Sequence, residues 1–211
     1  IMFQYMPSYL GMPTEKTNTL AKWTNYYGTF RAKFMKNLLK AWFGAAATPE
    51  NDYRFDLLTI RNTTIPPHSI YAMFDAAVRD EIKTFFCIGQ NPLVTLANLN
   101  HVYDGLTHID TVIGEDIFLN ETYCFWQKPG VDPKTIKTEV VFLPAASYLE
   151  REGSLNNSMR MMQWRMKGPD PVGDSKPDYE ILDMLWRRIR ELYADSTEKK
   201  DEVIKLLTWN Y

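Results

Sequence analysis

The chain has 211 residues, 45% of them hydrophobic, and a formal net charge of −2 at pH 7. This length and composition predict a packed core in one large domain or two small ones. The small net charge gives no indication of a nucleic-acid partner or an anionic membrane surface, and no apolar run approaches the roughly 18 residues of a membrane span.

The first 66 residues predict a helical and irregular covering segment. Residues 1–28 have no clear hydrophobic period. In residues 29–44, apolar side chains recur on one helical stripe, basic side chains lie outside it, and Gly44 marks the end. Such a helix packs on the rest of its protein or, as an alternative, binds a membrane or a partner protein.

Residues 67–211 predict an α/β domain. Three short runs rich in β-branched and aromatic residues begin near Thr84, Thr111 and Glu139, and helical patterns separate them. This order is typical of βαβ units, whose strands pair in parallel. We therefore predict a three-layer, Rossmann-like domain with a mainly parallel sheet.

Hydrophobic periodicity and capping residues predict the helices of this domain. They are expected at residues 68–83, 92–103, 120–126, 179–193 and 198–207. Asn91 is predicted to cap the second of these helices and Gly105 to end it, while Asn120 is predicted to cap the third. Residues 154–168 alternate poorly between polar and apolar types and predict an extended or hairpin segment.

Cysteine and histidine offer few ligands for a metal. Cys87 and Cys124 form no CxxC pair, and two thiols are too few for the four thiolates that usually hold an iron–sulfur cluster. We expect both thiols to be inert. The histidines His68, His101 and His108 show no metal-ligand spacing, so no metal site is expected.

Polar residues follow the predicted strands at the edge where ligands of parallel sheets bind. The turn of Gly89, Gln90 and Asn91 precedes a helix start at Pro92, and free N–H groups at such a start favour an anion such as a phosphate. Thr95 adds a hydroxyl one turn later. The pattern is weak by itself, since many βα turns carry Gly and Asn for structural reasons. The absence of GxGxxG argues against an ordinary NAD or FAD site.

Asp178 is a further candidate site residue. It lies at a predicted helix start, where a carboxylate is stable without any ligand. A carboxylate also accepts two parallel hydrogen bonds from the N1–H and amine of guanine, which is the functional alternative. Glu150 and Glu152 face one side of an extended segment, but no nucleophile stands beside them, and we interpret them as structural.

Several stretches carry a resemblance to a known family. They are GQNP with the following Thr95, the strand ending in GED, the run TEVVFLPAASYLEREGSLNNSMRMMQWRMKG, and KPDYEIL. Together they resemble the molybdopterin oxidoreductases, large enzymes with a bis-guanine-dinucleotide pterin cofactor on molybdenum or tungsten. The stretches YMPSYLGMPTEK, KAWFG and LLTWNY are similar to the catalytic (alpha) subunits of membrane-associated or periplasmic formate dehydrogenases.

The resemblance implies that this region has a formate dehydrogenase/DMSO reductase-type fold and binds one guanine dinucleotide arm. The residues implied to contact the cofactor are Gly89, Gln90, Asn91, Thr95, Asp116, Gly153 and Asp178. Among them, Asp178 matches an aspartate that meets the guanine end, and Gly153 matches a glycine in a loop near the arm. Family variants often carry an acid at the position of Asn91.

A second family pattern, E…G…N…R…Q, is also present. It is matched by Glu152, Gly153, Asn157, Arg160 and Gln163. The cysteines that bind an iron–sulfur cluster, the selenocysteine or cysteine on the metal, and the active-site His and Arg of the family have no counterpart here. We therefore expect an internal section of a larger subunit, without catalytic or metal-ligating residues.

The resemblance implies the activity of the complete enzyme. Formate is oxidised to carbon dioxide, or the reverse, and electrons pass through iron–sulfur clusters to an electron-transfer subunit and a cytochrome subunit. The remaining parts of the same catalytic subunit are further partners, and export to the periplasm is implied. Two alternatives stay open: a nitrate or polysulfide reductase of the same superfamily, and a non-catalytic nucleotide-binding scaffold domain.

Overall fold

The computed structural model describes residues 13–23, 30–58, 69–156 and 161–209. Its α-helices are α1 (Phe30–Phe43), α2 (Ile70–Val78), α3 (Pro92–Thr95), α4 (Leu99–His108), α5 (Asp178–Leu192) and α6 (Glu202–Leu206). Its strands are β1 (Thr84–Ile88), β2 (Thr111–Asp116), β3 (Glu139–Pro144), β4 (Gly153–Asn156) and β5 (Met162–Arg165). Short 3-10 helices occupy Glu15–Thr17, Gly44–Ala46, Pro49–Leu57, Phe125–Gln127, Pro133–Thr135 and Lys199–Asp201.

The described residues fold into two compact units. The first lies within residues 1–65 and 185–211, and the second within residues 66–184. The division into a covering segment of residues 1–66 and one domain of residues 67–211 stays a prediction. None of the helices in the described parts of the chain is long and apolar enough to cross a membrane.

A three-stranded parallel sheet with the order β1-β2-β3 forms the centre of the second unit. Strand β2 is central, and its Val112 lies opposite Phe85 of β1 and Val140 of β3. The sheet order and direction confirm the predicted α/β class and mainly parallel sheet. Parallel strands place their carboxyl ends at one edge, so the segments that follow β1, β2 and β3 begin side by side.

Helices α2 and α4 pack with one face of this sheet. Phe74 of α2 and Leu106 of α4 are buried in one cluster with Phe85 and Val112. The two helices approach closely at Gly105, where a Cβ would lie 2.9 Å from the Phe74 ring. The prediction that Gly105 ends a helix is wrong: the glycine lies inside α4 because its missing side chain leaves room for Phe74.

The opposite face of the sheet is less covered within this unit. Phe86 and Ile113 are half-buried there, and Val141 is 38% exposed. Because side chains alternate along a strand, Glu115 of β2 points to this same face. The only fully buried acidic side chain on the described part of the sheet therefore lies on its more open side.

Two helix predictions in this unit need correction. The helix expected at residues 68–83 ends at Val78, because Asp80 adopts a left-handed φ of 57° that a helix cannot continue. The single helix expected at residues 92–103 consists of α3 and α4, which are separated by Asn98 at a left-handed φ of 59°.

The prediction of a helix at residues 120–126 is also wrong. Hydrogen-bonded turns and the 3-10 helix Phe125–Gln127 take its place. Asn120 accepts from the Thr122 N–H at 3.0 Å, as expected of a cap, but its amide donates to the preceding strand end instead of opening a helix. Tertiary partners thus decide the local conformation.

A β-hairpin follows the sheet. Strands β4 and β5 pair antiparallel, with Gly153 opposite Arg165. This pairing confirms the extended or hairpin structure predicted for residues 154–168 in the described residues. Asn157 and Arg160 of the second family pattern lie outside the described residues.

The first unit packs around α1. Met35, Leu39 and Phe43 of this helix are buried together with Trp23 and Phe55. The predicted amphipathic helix at residues 29–44 is confirmed, and Gly44 ends it at a left-handed φ of 51°. The helix predicted at residues 198–207 is split into the 3-10 helix Lys199–Asp201 and α6.

Candidate functional site

The turn after β1 begins where the sheet ladder ends. Gly89 has a φ of 58°, a left-handed conformation that glycine adopts without strain. Its N–H donates to the Glu115 carbonyl at 2.8 Å, which is the last bond between the first two strands. The N–H groups of Gln90 and Asn91 make no hydrogen bond within the described residues, so they are free to donate to a ligand.

Asn91 occupies the N-cap position of α3, as predicted, but its side chain does not cap the helix. Its amide donates to Glu121 Oε2 at 2.7 Å, and its Oδ1 accepts from the Thr122 hydroxyl at 2.8 Å. The buried Thr122 oxygen in turn accepts from the Leu93 N–H at 3.0 Å. A residue 29 positions away in the chain therefore supplies the cap.

Gln90 and Thr95 are likewise engaged inside the chain. The Gln90 carbonyl accepts from the Tyr123 hydroxyl at 3.1 Å and from the Asn120 amide at 3.3 Å. The Thr95 hydroxyl donates to the Asn91 carbonyl at 2.9 Å. Its proton is therefore committed to the helix, and only its lone pairs remain to accept from a ligand.

Residues 116–123 form the loop that holds this turn. Asp116 folds the loop itself: its carboxylate accepts from the Ile117 N–H at 2.7 Å and from the Asn120 amide at 3.0 Å. At its end, Tyr123 lies flat against β2, where a Cβ on Gly114 would come within 2.4 Å of its ring. Asn120 thus connects Asp116 to the turn of Gln90, bringing these two predicted site residues together.

A second group, which we call the Glu115 cluster, consists of Glu115, Arg151 and Asp178. The Glu115 side chain is 0% exposed, and neither carboxylate oxygen has a hydrogen-bond partner in the described residues. Arg151 donates to Asp178 Oδ2 and forms an ion pair with it. The side chains of Arg151 and Asp178 are 33% and 34% exposed, so a ligand can reach them.

The end of β3 positions Asp178 in this cluster. The Lys176 N–H donates to the Pro144 carbonyl at 3.2 Å, and the Lys176 carbonyl accepts from the Ala146 N–H at 2.8 Å. These bonds form an isolated parallel bridge between Lys176 and Ala145, directly after β3. The bridge directs the chain into the first turn of α5. Asp178 therefore lies beside the carboxyl ends of β2 and β3, the edge that was predicted from the sequence to bind ligands.

The Glu115 carboxyl has a pKa raised from 4.5 to about 7. Burial is the largest cause, because the ionised form loses its hydration, and the negative charge of Asp178 adds to it. Arg151 partly offsets both effects. Glu115 was not predicted from the sequence as a site residue, although it belongs to the GED strand end. The sequence signal that could have identified Glu115 is an acidic residue directly before the last residue of the strand.

Gly153 and Glu150 lie close to Arg151 in the chain but make hydrogen bonds outside the two groups. Gly153 begins β4 at a φ of 152°, which favours glycine, and pairs with Arg165. Glu150 accepts from the Ser147 N–H at 2.7 Å, in agreement with its structural interpretation.

The described residues include both thiols and two of the three histidines. Burial raises the pKa of both Cys87 and Cys124, so neither is a ready thiolate. His101 pairs with Asp75 and His108 with Asp80, whereas His68 lies outside the described residues. No group of three or more potential metal ligands occurs in the parts of the chain that the structure covers.

Comparisons with known proteins found a matching family model and several relatives of this chain. A family model described as Molybdopterin oxidoreductase matches residues 6–188. The chain is 33% identical to the major subunit of the nitrate-inducible formate dehydrogenase of Escherichia coli K12, over 98% of this chain and 22% of that protein. It is 34% identical to formate dehydrogenase subunit alpha of Megalodesulfovibrio gigas, over 94% of this chain and 19% of that protein.

The chain thus spans about a fifth of the length of these curated relatives. Among solved structures, acetylene hydratase from Pelobacter acetylenicus matches 59% of this chain and 15% of its own, with a TM-score of 0.43 and 23% identity.

Proposed function

The chain belongs to the molybdopterin oxidoreductase family, and from this premise we propose that it binds one guanine dinucleotide arm of the pterin cofactor in a formate dehydrogenase catalytic subunit. The relatives named formate dehydrogenase, at 33% and 34% identity over nearly all of this chain, support the substrate formate and the product carbon dioxide. They favour this interpretation over a nitrate or polysulfide reductase.

The observation that carries the proposal is the placement of Asp178. Guanine presents its N1–H and exocyclic amine side by side, and one carboxylate accepts both. Asp178 lies at the ligand-binding edge of the sheet, is one-third exposed, and is held on one oxygen by Arg151. Adenine lacks this pair of donors, so the site is expected to select guanine.

The turn after β1 is proposed to hold the phosphate part of the arm. Gly89 sets a left-handed corner, and the N–H groups of Gln90 and Asn91 are the donors left free there. Such N–H groups on a turn suit an anion. Thr95, Asp116 and Gly153 complete the proposed set, with Asp116 acting through the loop that it folds.

When bound, the molybdenum or tungsten pterin supplies the redox chemistry, and this chain's residues bind and orient it. The sulfur atoms of the pterin are soft ligands that suit either metal, so no metal ligand is needed from these residues. The remaining parts of the catalytic subunit, an iron–sulfur electron-transfer subunit, a cytochrome subunit and a periplasmic location belong to the same proposal.

The experiment measures guanosine and adenosine binding to the purified protein by calorimetry. Asp178→Asn replaces one acceptor oxygen by an N–H₂ group and should weaken guanosine binding about tenfold or more. Asp170→Asn, a matched change at an exposed carboxylate paired with Lys167, should leave it unchanged. Equal binding of both nucleosides, or equal guanosine binding by wild type and Asp178→Asn, would contradict the proposal.

A further inference from the structure

We propose that Glu115 is a positioning residue: in its protonated form it donates a hydrogen bond to Asp178, and its ionisation weakens guanine binding there. The inference rests on the proposed guanine site at Asp178 and adds to it a regulatory proton. Glu115 is not among the residues that the family resemblance implies to contact the cofactor.

The first support is the unpartnered, fully buried carboxyl group. Glu115 is 0% exposed, and both of its oxygens lack hydrogen-bond partners in the described residues. An ionised carboxylate in such surroundings is costly, whereas a neutral carboxylic acid is much less so. The protonated acid also has one O–H that it can donate.

The second support is the set of charged groups around it. Asp178 at the start of α5 is the neighbour whose negative charge acts most strongly on Glu115, and Arg151 after β3 acts in the opposite direction. Asp116 is adjacent on the same strand but points to the other face, where it binds Ile117 and Asn120. Asp178 is therefore the acceptor available to a protonated Glu115.

The consequence concerns the orientation of Asp178. Arg151 donates to its Oδ2 atom, so Oδ1 is the oxygen at which a second donor can act. A hydrogen bond from Glu115 would fix the group from a second side and pre-organise it for guanine, which lowers the entropic cost of binding. When Glu115 ionises, the two carboxylates repel each other and compete for Arg151. The pKa of Glu115, about 7, places this change within the neutral range.

The test is guanosine affinity measured by calorimetry from about pH 5.5 to about pH 8.5. Guanosine is chosen because it carries no phosphate, whose own ionisation near pH 6 would confuse the profile. Wild type should bind about tenfold more weakly at the high end, as expected for the loss of one hydrogen bond to a charged group. Glu115→Gln, whose amide always donates, should bind as tightly as wild type at low pH and show no such decline.

Controls separate this inference from the proposed function. Glu139→Gln, a matched change at an exposed position of β3, should keep the wild-type profile. A Glu115→Gln protein with the same pH dependence as wild type would overturn the inference. Guanosine binding that is insensitive to Asp178→Asn would instead overturn the proposed guanine site.

A second measurement does not depend on a variant. Carboxyl ¹³C NMR follows the titration of Glu115 in the wild-type protein directly. Because linkage is reciprocal, guanosine should move the titration midpoint of Glu115 upward if the protonated form binds better. An unchanged midpoint at saturating guanosine would overturn the inference even if Glu115→Gln failed to fold.

Discussion

The turn after β1 and the Glu115 cluster lie at the same edge of one sheet but differ in how their polar side chains are satisfied. In the turn, the side chains of both Asn91 and Thr95 form hydrogen bonds within the chain. In the cluster, Glu115 is buried with no hydrogen-bond partner in the described residues. The side chains of the turn thus support its own structure and leave only backbone N–H groups free, whereas the cluster contains a buried carboxyl group whose hydrogen-bonding capacity is unused.

This difference has a thermodynamic meaning. A buried polar group with partners contributes modestly to stability, whereas one without partners costs free energy, most of all when it is charged. Mutations in the support should therefore lower stability first. Mutations in the cluster should change the response to pH and ligand.

The largest expected effect tests the support. Tyr123 is 1% exposed, packs against β2, and bonds the carbonyls of Cys87 and Gln90. Tyr123→Ala should lower the free energy of unfolding by about 3–5 kcal/mol, because it leaves a cavity and removes the hydroxyl that binds both carbonyls. Urea denaturation measures this loss. Tyr123→Phe, which keeps the ring, should lower the free energy of unfolding clearly less. Equal losses in the two variants would show that the hydroxyl, and not the packing of the ring, accounts for the contribution of Tyr123.

The next effect tests the cluster through pH. Glu115 has a pKa of about 7 in the folded protein against 4.5 ordinarily, so between these values the unfolded chain releases a proton that the folded protein keeps. The free energy of unfolding should therefore fall as pH rises through this window, by up to roughly 3 kcal/mol, and stay lower above it.

Glu115→Gln provides the comparison for that profile. Since the amide does not titrate, the variant should lack this part of the pH dependence and be the more stable protein at about pH 8. Denaturation midpoints measured at several pH values would reveal it. Parallel profiles for the two proteins would mean that Glu115 is already ionised in the folded state and that the contrast between turn and cluster is misplaced.

The smallest expected effect again concerns the support. Thr122→Ala removes the hydroxyl that caps α3 and binds Asn91, and should cost about 1–2 kcal/mol. Amide exchange at Leu93 should accelerate accordingly, because its N–H loses its acceptor. Thr122→Ser keeps the hydroxyl and should retain slow exchange. Acceleration in both variants would indicate that the methyl group, not the cap, stabilises the turn.

Much of the fold follows from local patterns in the sequence. The three β-branched runs predicted the parallel sheet, and the apolar stripe of residues 29–44 predicted α1, because hydrophobic periodicity directly reflects which face is buried. Helix boundaries were less predictable. The breaks at Asp80 and Asn98 depend on left-handed backbone conformations that neither residue type requires.

The candidate site divides in the same way. Motifs and the resemblance they carry predicted the turn, Asp116 and Asp178 as site residues, since these residues stand next to strand ends and helix starts. They could not reveal that Thr122 caps α3 from 29 positions away, or that Glu115 is buried beside Asp178. Hydrogen-bond partners and burial of a charge depend on residues distant in the chain. Only their packing in three dimensions decides them.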